Sequence, residues 1–117
     1  MPLFNSLDDL EAYCQQPNWN GNDEEAIALE AIDCAHHLLD ILKGEDHDIE
    51  ATEGGNIELT FYVTNKAELK VFINEKTHTL GFFHNGIEFE KTLKNSRIHE
   101  TGRAIEGFLQ FYSLVYV

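Results

Sequence analysis

The stretch NIELTFYVTNKAELKVFINEKTHTLGFFHNGIEFEK, residues 56–91, alternates apolar and polar side chains with a period of two. The apolar residues fall into four successive segments. They are Ile57, Leu59, Phe61 and Val63; Ala67, Leu69, Val71 and Ile73; Leu80 and Phe82; and Ile87 and Phe89. Because successive side chains of a β-strand point to opposite faces, the pattern predicts an antiparallel meander with one apolar face.

The turns between these segments predict the register, because residues opposite each other on antiparallel strands share a face. Asn85-Gly86 suits a two-residue turn, residues 64–66 suit a three-residue loop, and residues 75–78 suit a middle turn. The predicted opposite pairs are Phe82 with Phe89, His84 with Ile87, Phe61 with Leu69, Val71 with Phe82, and Phe72 with Gly81. His84 is thereby placed on the core side of its strand.

Helical patterns flank the meander. Ser6, followed by two aspartates, predicts a capped short helix that ends near Gln15. Periodic apolar residues predict a second helix over 24–43, closed by Gly44, and a third over 96–114. Gly102 lies on the apolar stripe of the third helix, which predicts a close approach of that helix to the sheet. A short strand at 48–52 is predicted at the edge of the sheet.

These elements predict one α+β domain over residues 1–117. Its sheet is a single antiparallel meander of four to five strands, with two main helices packed on one face and a short N-terminal helix. No apolar run is long enough for a membrane span, and the first residues lack the pattern of a signal peptide, so we expect a cytoplasmic protein. Cys14 and Cys34 are then expected to be reduced thiols.

The charge is strongly asymmetric along the chain. The chain has 21 acidic and 8 basic side chains; residues 1–53 contain 14 of the acids and one base, Lys43, whereas residues 54–117 contain seven of each. Phosphate binding needs clustered lysine and arginine, so direct binding to nucleic acid is not expected. An acidic half instead favours a basic protein partner.

Two surfaces are candidates for binding that partner. Glu30, Asp33, His37 and Asp40 form an acidic stripe on the second helix, opposite its apolar face. Tyr62, Phe72 and Phe83 are predicted on the reverse face of the sheet, where three aromatic rings indicate an interaction patch unless the N-terminal helix covers them.

No motif predicts catalysis. Asp33 and His37 are four residues apart and could supply two metal ligands from one helix face, but no third ligand is implied. No phosphate-binding loop is present, because Gly54-Gly55 stands alone between predicted strands. We therefore expect neither an enzyme nor a requirement for a metal or cofactor.

Asn18-Trp19-Asn20-Gly21 is followed by a helix with spaced alanines and a Leu-Leu pair, and then by Gly54-Gly55 and an Ile-x-Leu-x-Phe strand. This arrangement resembles small acidic bacterial α+β proteins that open with Trp-x-Gly, and in general style it is similar to toxin-immunity proteins. The resemblance spans about residues 18–74 and brings no catalytic residues. It implies a protein that binds and neutralises a toxin.

The hypothesis is therefore an immunity or antitoxin protein, an inhibitor that neutralises a basic target acting on nucleic acid. One alternative is a phage-type inhibitor that mimics nucleic acid before a host defence enzyme. Another is a small structural homodimer that associates through the aromatic face of the sheet.

Overall fold

The computed structural model describes residues 3–4, 6–14, 27–52, 54–64, 67–84 and 87–115. The strands are β1 (Leu3–Phe4), β2 (His47–Thr52), β3 (Asn56–Thr64), β4 (Ala67–Ile73), β5 (Thr77–His84) and β6 (Ile87–Lys94). The helices are α1 (Leu7–Cys14), α2 (Leu29–Ile41) and α3 (Ile98–Val115), and a 3₁₀ turn, Asn95–Arg97, leads into α3. The Trp-x-Gly motif lies outside the described residues.

The strands form one antiparallel sheet in the order of the chain, β1-β2-β3-β4-β5-β6. The predicted α+β class is confirmed, with a five-stranded meander from β2 to β6, two main helices and a short N-terminal helix. The prediction that residues 48–52 form the edge was wrong, because β1 pairs with β2 through Leu3 opposite Glu50 and Phe4 opposite Ile49.

Two of the three predicted registers are confirmed. Phe61 lies opposite Leu69, and Phe82 lies opposite Phe89. Between β4 and β5 the prediction was wrong by two residues, since Val71 lies opposite Leu80. Phe72, predicted opposite Gly81, lies opposite Thr79, and Gly81 lies opposite Lys70.

Asn74 explains this shift. Its side-chain oxygen accepts hydrogen bonds from the backbone N–H groups of Lys76 and Thr77, at 2.9 and 2.7 Å, and its own N–H donates to the Thr77 carbonyl. An asparagine that bonds the backbone two and three residues ahead stabilises a tight turn at its own position. The turn therefore begins one residue earlier than predicted, which moves the register by two and leaves every side chain on its face.

The core lies between the helices and one face of the sheet. Phe61, Leu59, Ile57 and Val71 are fully buried there, against Ile32 and Leu38 of α2. Burial of one such side chain contributes about 1.5–3 kcal/mol. Leu7, Leu10 and Cys14 of α1 belong to the same buried cluster, so α1 packs on the same side as the other helices.

Both cysteines lie within this core. Cys14 and Cys34 are buried and free, as predicted. Burial raises the pKa of the Cys14 thiol to about 11 and that of Cys34 to about 12, because an apolar environment disfavours the thiolate. Both sulfurs are therefore protonated at neutral pH and act as small apolar groups in the core.

The helix ends follow from local hydrogen bonds. The Ser6 hydroxyl accepts a 3.2 Å hydrogen bond from the Asp9 N–H, which confirms the predicted cap of α1. The start of α2 differs from the prediction, because Ala28 is extended and the Ile27 N–H donates to the Cys14 carbonyl at the end of α1. That bond and the burial of Ile27 hold the chain outside the helical path until Leu29. Gly44, at φ 91°, follows the end of α2 as predicted.

Gly102 brings two helices together. A Cβ atom at this position would lie 2.7 Å from Cδ1 and 3.1 Å from Cγ2 of Ile41 on α2. The predicted close approach is therefore to α2 and not to the sheet. Gly107, one and a half turns further along α3, has open space around its Cα.

These two glycines form a matched pair for substitution. Gly107→Ala should stabilise the fold by about 0.5–1 kcal/mol, since alanine is the better helix former. Gly102→Ala should leave the fold about 1–3 kcal/mol less stable than Gly107→Ala does, since the added methyl group overpacks the contact with Ile41 and offsets the same gain. Urea unfolding of both variants would measure the difference, and equal effects at the two positions would contradict close packing at Gly102.

Among the histidine side chains that the structure describes, His78 is buried in the core, whereas the prediction had placed it in the middle turn; the side chain of His84 lies outside the described part. Its Nε2 lies 2.6 Å from Oγ1 of Thr101 on α3, and its Nδ1 lies 3.2 Å from Oδ1 of Asn95. Asn95 also donates from Nδ2 to the Asn74 carbonyl, so its Oδ1 is the acceptor and Nδ1 of the neutral imidazole is the donor. The network joins the β4–β5 turn, the 3₁₀ turn and α3.

Burial lowers the pKa of His78 below the ordinary 6.5, although the Asn95 hydrogen bond raises it in part. As the pH falls below 6.5, the unfolded chain therefore binds a proton at this position before the folded chain does. Protonation favours the unfolded state, so the folded protein becomes less stable. We expect the free energy of unfolding to fall between neutral pH and about pH 5.

His78→Gln should reduce this dependence. His99→Gln changes an exposed histidine of α3 and serves as the control, which should keep the wild-type slope. Urea unfolding over this pH range would measure both, and a wild-type slope in the His78 variant would exclude His78 as its origin.

Candidate functional site

The predicted acidic stripe lies on the outer surface of α2. Glu30, Asp33, His37 and Asp40 are all exposed, while the opposite side of the helix is buried. His37 lies beside His99 of α3, with ring centroids 5.7 Å apart. The stripe faces away from the sheet, so α2 and the core separate it from the predicted aromatic surface.

The reverse face of the sheet, here called the open face, carries no helix among the described residues, because all three helices contribute to the core on the other side. The predicted alternative in which α1 covers this face is therefore wrong. Tyr62 and Phe72 are 48% and 37% exposed, and Phe83 is half-buried. The open face thus presents the three aromatic residues predicted from the period-two pattern.

The aromatic rings of the open face are spread around a central cation. Lys70 of β4 lies between them, and its Nζ is 3.2 Å from Glu58 and 3.7 Å from Glu68. Partial burial lowers the pKa of Lys70, but the hydrogen bond and charge of Glu58, with the charges of Glu68 and Glu50, raise it above the ordinary value overall. The face is therefore a mixed surface of charges and rings and not a continuous apolar patch.

Tyr62 and Phe83 occupy one end of this face. The Tyr62 hydroxyl donates a short hydrogen bond to Asp48 on β2. That bond, with desolvation and the nearby carboxylates, raises the pKa of Tyr62 to about 12, so the phenol remains a neutral donor. The Phe83 ring covers Gly81, where a Cβ would lie 3.0 Å from the ring. Both rings thus make contacts within the sheet, Tyr62 through its hydroxyl and Phe83 through its packing over Gly81.

The other end of the open face places like charges together. Glu50 of β2 lies directly opposite Glu58 of β3, and Glu58 lies directly opposite Phe72 of β4. Directly opposed carboxylates destabilise a sheet. Lys70 pairs with Glu58, and within the described part of the chain no cation pairs with Glu50. One row across the sheet thus places the unpaired carboxylate of Glu50 beside the largely buried carboxylate of Glu58, which is paired with Lys70, and beside the ring of Phe72.

The charge of the whole open face is negative. Its described ionisable residues other than tyrosine are Asp48, Glu50, Glu58, Glu68 and Glu90, with Lys70 and Lys94. A guanidinium or ammonium group between Glu50, Glu58 and Phe72 would be held by charge and by the face of the ring. The sequence pattern alone located the rings, but the opposition of Glu50 and Glu58 required the register of β2 against β3.

A second cluster joins α1 to α2. Asp8, Glu11 and His36 place one potential ligand atom each within 4.8 Å of one another, a grouping able to hold a metal ion. The predicted pair Asp33 and His37 does not belong to it. Asp8 and Glu11 are three residues apart on α1, but only the packing of α1 against α2 brings His36 to them, so the sequence spacing could not indicate the group.

No protein-family model matches this chain, and no curated protein or solved structure matches it at a significant level. Within the described ranges, no helix combines the length and the apolar character required to cross a membrane. The candidate site therefore depends on the geometry of the open face.

The opposition of Glu50 and Glu58 predicts a stability gain when one charge is removed. Glu50→Gln should stabilise the isolated protein by about 0.2–1 kcal/mol, since it relieves repulsion without changing the shape of the side chain. The gain should shrink at high salt, because screening weakens the repulsion. Glu75→Gln, an exposed position of the β4–β5 turn, is the control.

Thermal melts at low and high salt would measure the effect. A destabilised Glu50 variant would show that Glu50 makes a favourable contact in the free protein.

Proposed function

We propose that this protein is an acidic protein-binding inhibitor of the immunity or antitoxin type, and that it binds a basic target through the open face of its sheet. The observation that supports this most is the row of Glu50, Glu58 and Phe72, where the free protein retains like charges directly opposite each other. Residue arrangements that lower the stability of a fold are expected at functional sites. A basic side chain of the target would relieve this repulsion on binding.

The rings and the acids have separate roles in this proposal. Tyr62 and Phe72 supply exposed aromatic area on a rigid sheet, and such anchors mainly slow dissociation. The surrounding carboxylates match a basic surface and speed association at low salt. The target class that fits this face is a protein with arginine or lysine residues exposed in a cleft or on a flat surface, as in enzymes that act on nucleic acid.

The acidic stripe of α2 has a different role in binding from the open face. It consists of Glu30, Asp33, His37 and Asp40. Because it lies on the other side of the molecule from the open face, one compact target cannot contact both at once. Its contribution to binding at the open face is therefore the long-range field of its charges. This contribution decays over about 10 Å at moderate salt.

The test compares partners retained from the native host by wild-type protein and by two variants. One variant replaces Tyr62 and Phe72 by alanine, and the other reverses Glu30, Asp33 and Asp40 to lysine. A basic protein that the wild type retains should not be retained by the alanine variant. The charge-reversed variant should still retain it at high salt, where the field of the helix stripe is screened in the wild type as well. Glu50→Gln should weaken binding of the isolated target by about tenfold or more, since it removes one partner of a charged contact.

Glu75→Gln is again the control and should bind as the wild type does. A target that is lost only when the helix stripe is reversed would contradict the open face as the binding surface. A retained partner without a basic surface would contradict the proposed target class.

A further inference from the structure

The last strand, β6, is an unpaired edge of the sheet. It pairs with β5 on one side, and no described residue pairs with its other side. The N–H of Asn95, the next residue, donates to the Lys76 carbonyl at the β4–β5 turn, which lies on the β5 side. Because backbone groups alternate along a strand, the N–H and C=O groups of positions 88, 90, 92 and 94 point outward. Such an edge is a template for another strand.

An apolar cavity of about 370 Å³ opens beside this edge on the core side. It lies between α3 and strands β4, β5 and β6, and Leu80, Phe82, Phe89 and Phe108 contribute to its wall. The rings of Phe82 and Phe108 meet edge to face at 4.9 Å, while Phe89 is 55% exposed. Phe89 therefore lies on the helix-bearing face, as the alternation predicts, but it is exposed because α3 covers β6 only in part.

The balanced charge of β6 and α3 favours association with a second copy of the chain over association with a basic protein. Residues 87–115 contain four acidic and four basic side chains. Two pairs are internal to the turn and helix, Arg97 with Glu100 and Arg103 with Glu106. The remaining charges divide β6 into an acidic first half, Glu88 and Glu90, and a basic second half, Lys91 and Lys94. In an antiparallel copy of β6, the acidic start of each strand can lie beside the basic end of the other, with Glu88 opposite Lys94.

From these observations we propose that two copies of the chain pair through their β6 edges and form one continuous antiparallel sheet. The two-fold axis passes by Lys91, which brings Phe89 of each copy opposite Leu93 of the other and position 88 opposite Lys94. Both members of each pair share a face, as antiparallel pairing requires. The hydrogen-bonded positions are then 88 with 94 and 90 with 92, which are the positions whose backbone groups point outward.

This dimer differs from one that associates through the aromatic open face, because it leaves both open faces exposed on the same side of the joined sheet. It is independent of the proposed inhibitory function. The two apolar cavities meet across the axis, so the exposed Phe89 of each copy is covered. The unfavourable element is Lys91, which faces its own copy at the axis.

The main test uses a proline on the outward edge. Thr92→Pro removes an N–H that points away from β5, so the sheet of one chain keeps its hydrogen bonds while pairing between chains is blocked. Thr92→Ala is the matched control, since it also loses the 2.8 Å hydroxyl contact with Thr79 but keeps the N–H. Sedimentation equilibrium should show a dimer for the wild type and Thr92→Ala, and a monomer for a folded Thr92→Pro variant.

Charge reversal tests the register and does not depend on the proline variant folding. Lys94→Glu should weaken dimerisation by about tenfold, since it places like charges opposite each other twice, and Glu88→Lys combined with Lys94→Glu should restore it. Lys91→Thr should tighten the dimer. Amide exchange at Glu90 and Thr92 should slow as the protein concentration rises.

A wild-type chain that remains monomeric at all concentrations would overturn the proposal. So would a proline variant that is folded and still dimeric, or a double charge reversal that fails to restore association, because either result would place the contact on another surface or in another register.

Discussion

All the helices that the structure describes lie on one face of the sheet, and the rest of the molecule depends on this one-sidedness. The apolar residues of β3 and β4 are buried because α2 and α3 cover them, and α1 closes the same side. A six-stranded sheet is wider than two helices, so the residues of β3 and β4 are buried most completely, whereas β6 is covered only in part. The open face, the free edge and the apolar cavity beside α3 follow from this geometry.

Because α2 and α3 are in close contact, the two helices together cover only part of the width of the sheet. Gly102 lets α3 approach Ile41, and the two helices contact each other along the middle of the sheet. On its other side α3 is anchored to the start of β5 by His78 and Thr101. The small residue at Gly102 thus contributes to the close packing of the two helices.

Charge is distributed unevenly over the surfaces of the molecule. The acidic stripe of α2 and the carboxylates of the open face give a negative field on opposite sides of the core, whereas the segment from β6 to the end of α3 is balanced. A basic protein and a second copy of the chain would therefore be attracted to different surfaces. The free edge lies beside the open face and not on it, so the two associations are geometrically compatible.

The period-two alternation was enough to determine strands β3 to β6, their faces and two of their three registers, but it did not indicate β1. It could not determine the register of β4 against β5, because a shift of two residues leaves every side chain on the same face. The side chain of Asn74 decided that register through local hydrogen bonds. Likewise, the periodicity of α2 predicted the exposed stripe, but the bond from Ile27 to Cys14 decided where the helix begins.

What only the tertiary structure decided are the relations between segments that are far apart in the chain. The sequence contains Glu50, Glu58 and Phe72, yet their alignment in one row depends on three strands pairing in a specific register. It also contains His78 and His36, and only packing buries His78 in the core and brings His36 to Asp8 and Glu11. Local periodicity reports which way a side chain points, whereas its neighbours depend on how separate elements pack, and that information is not local.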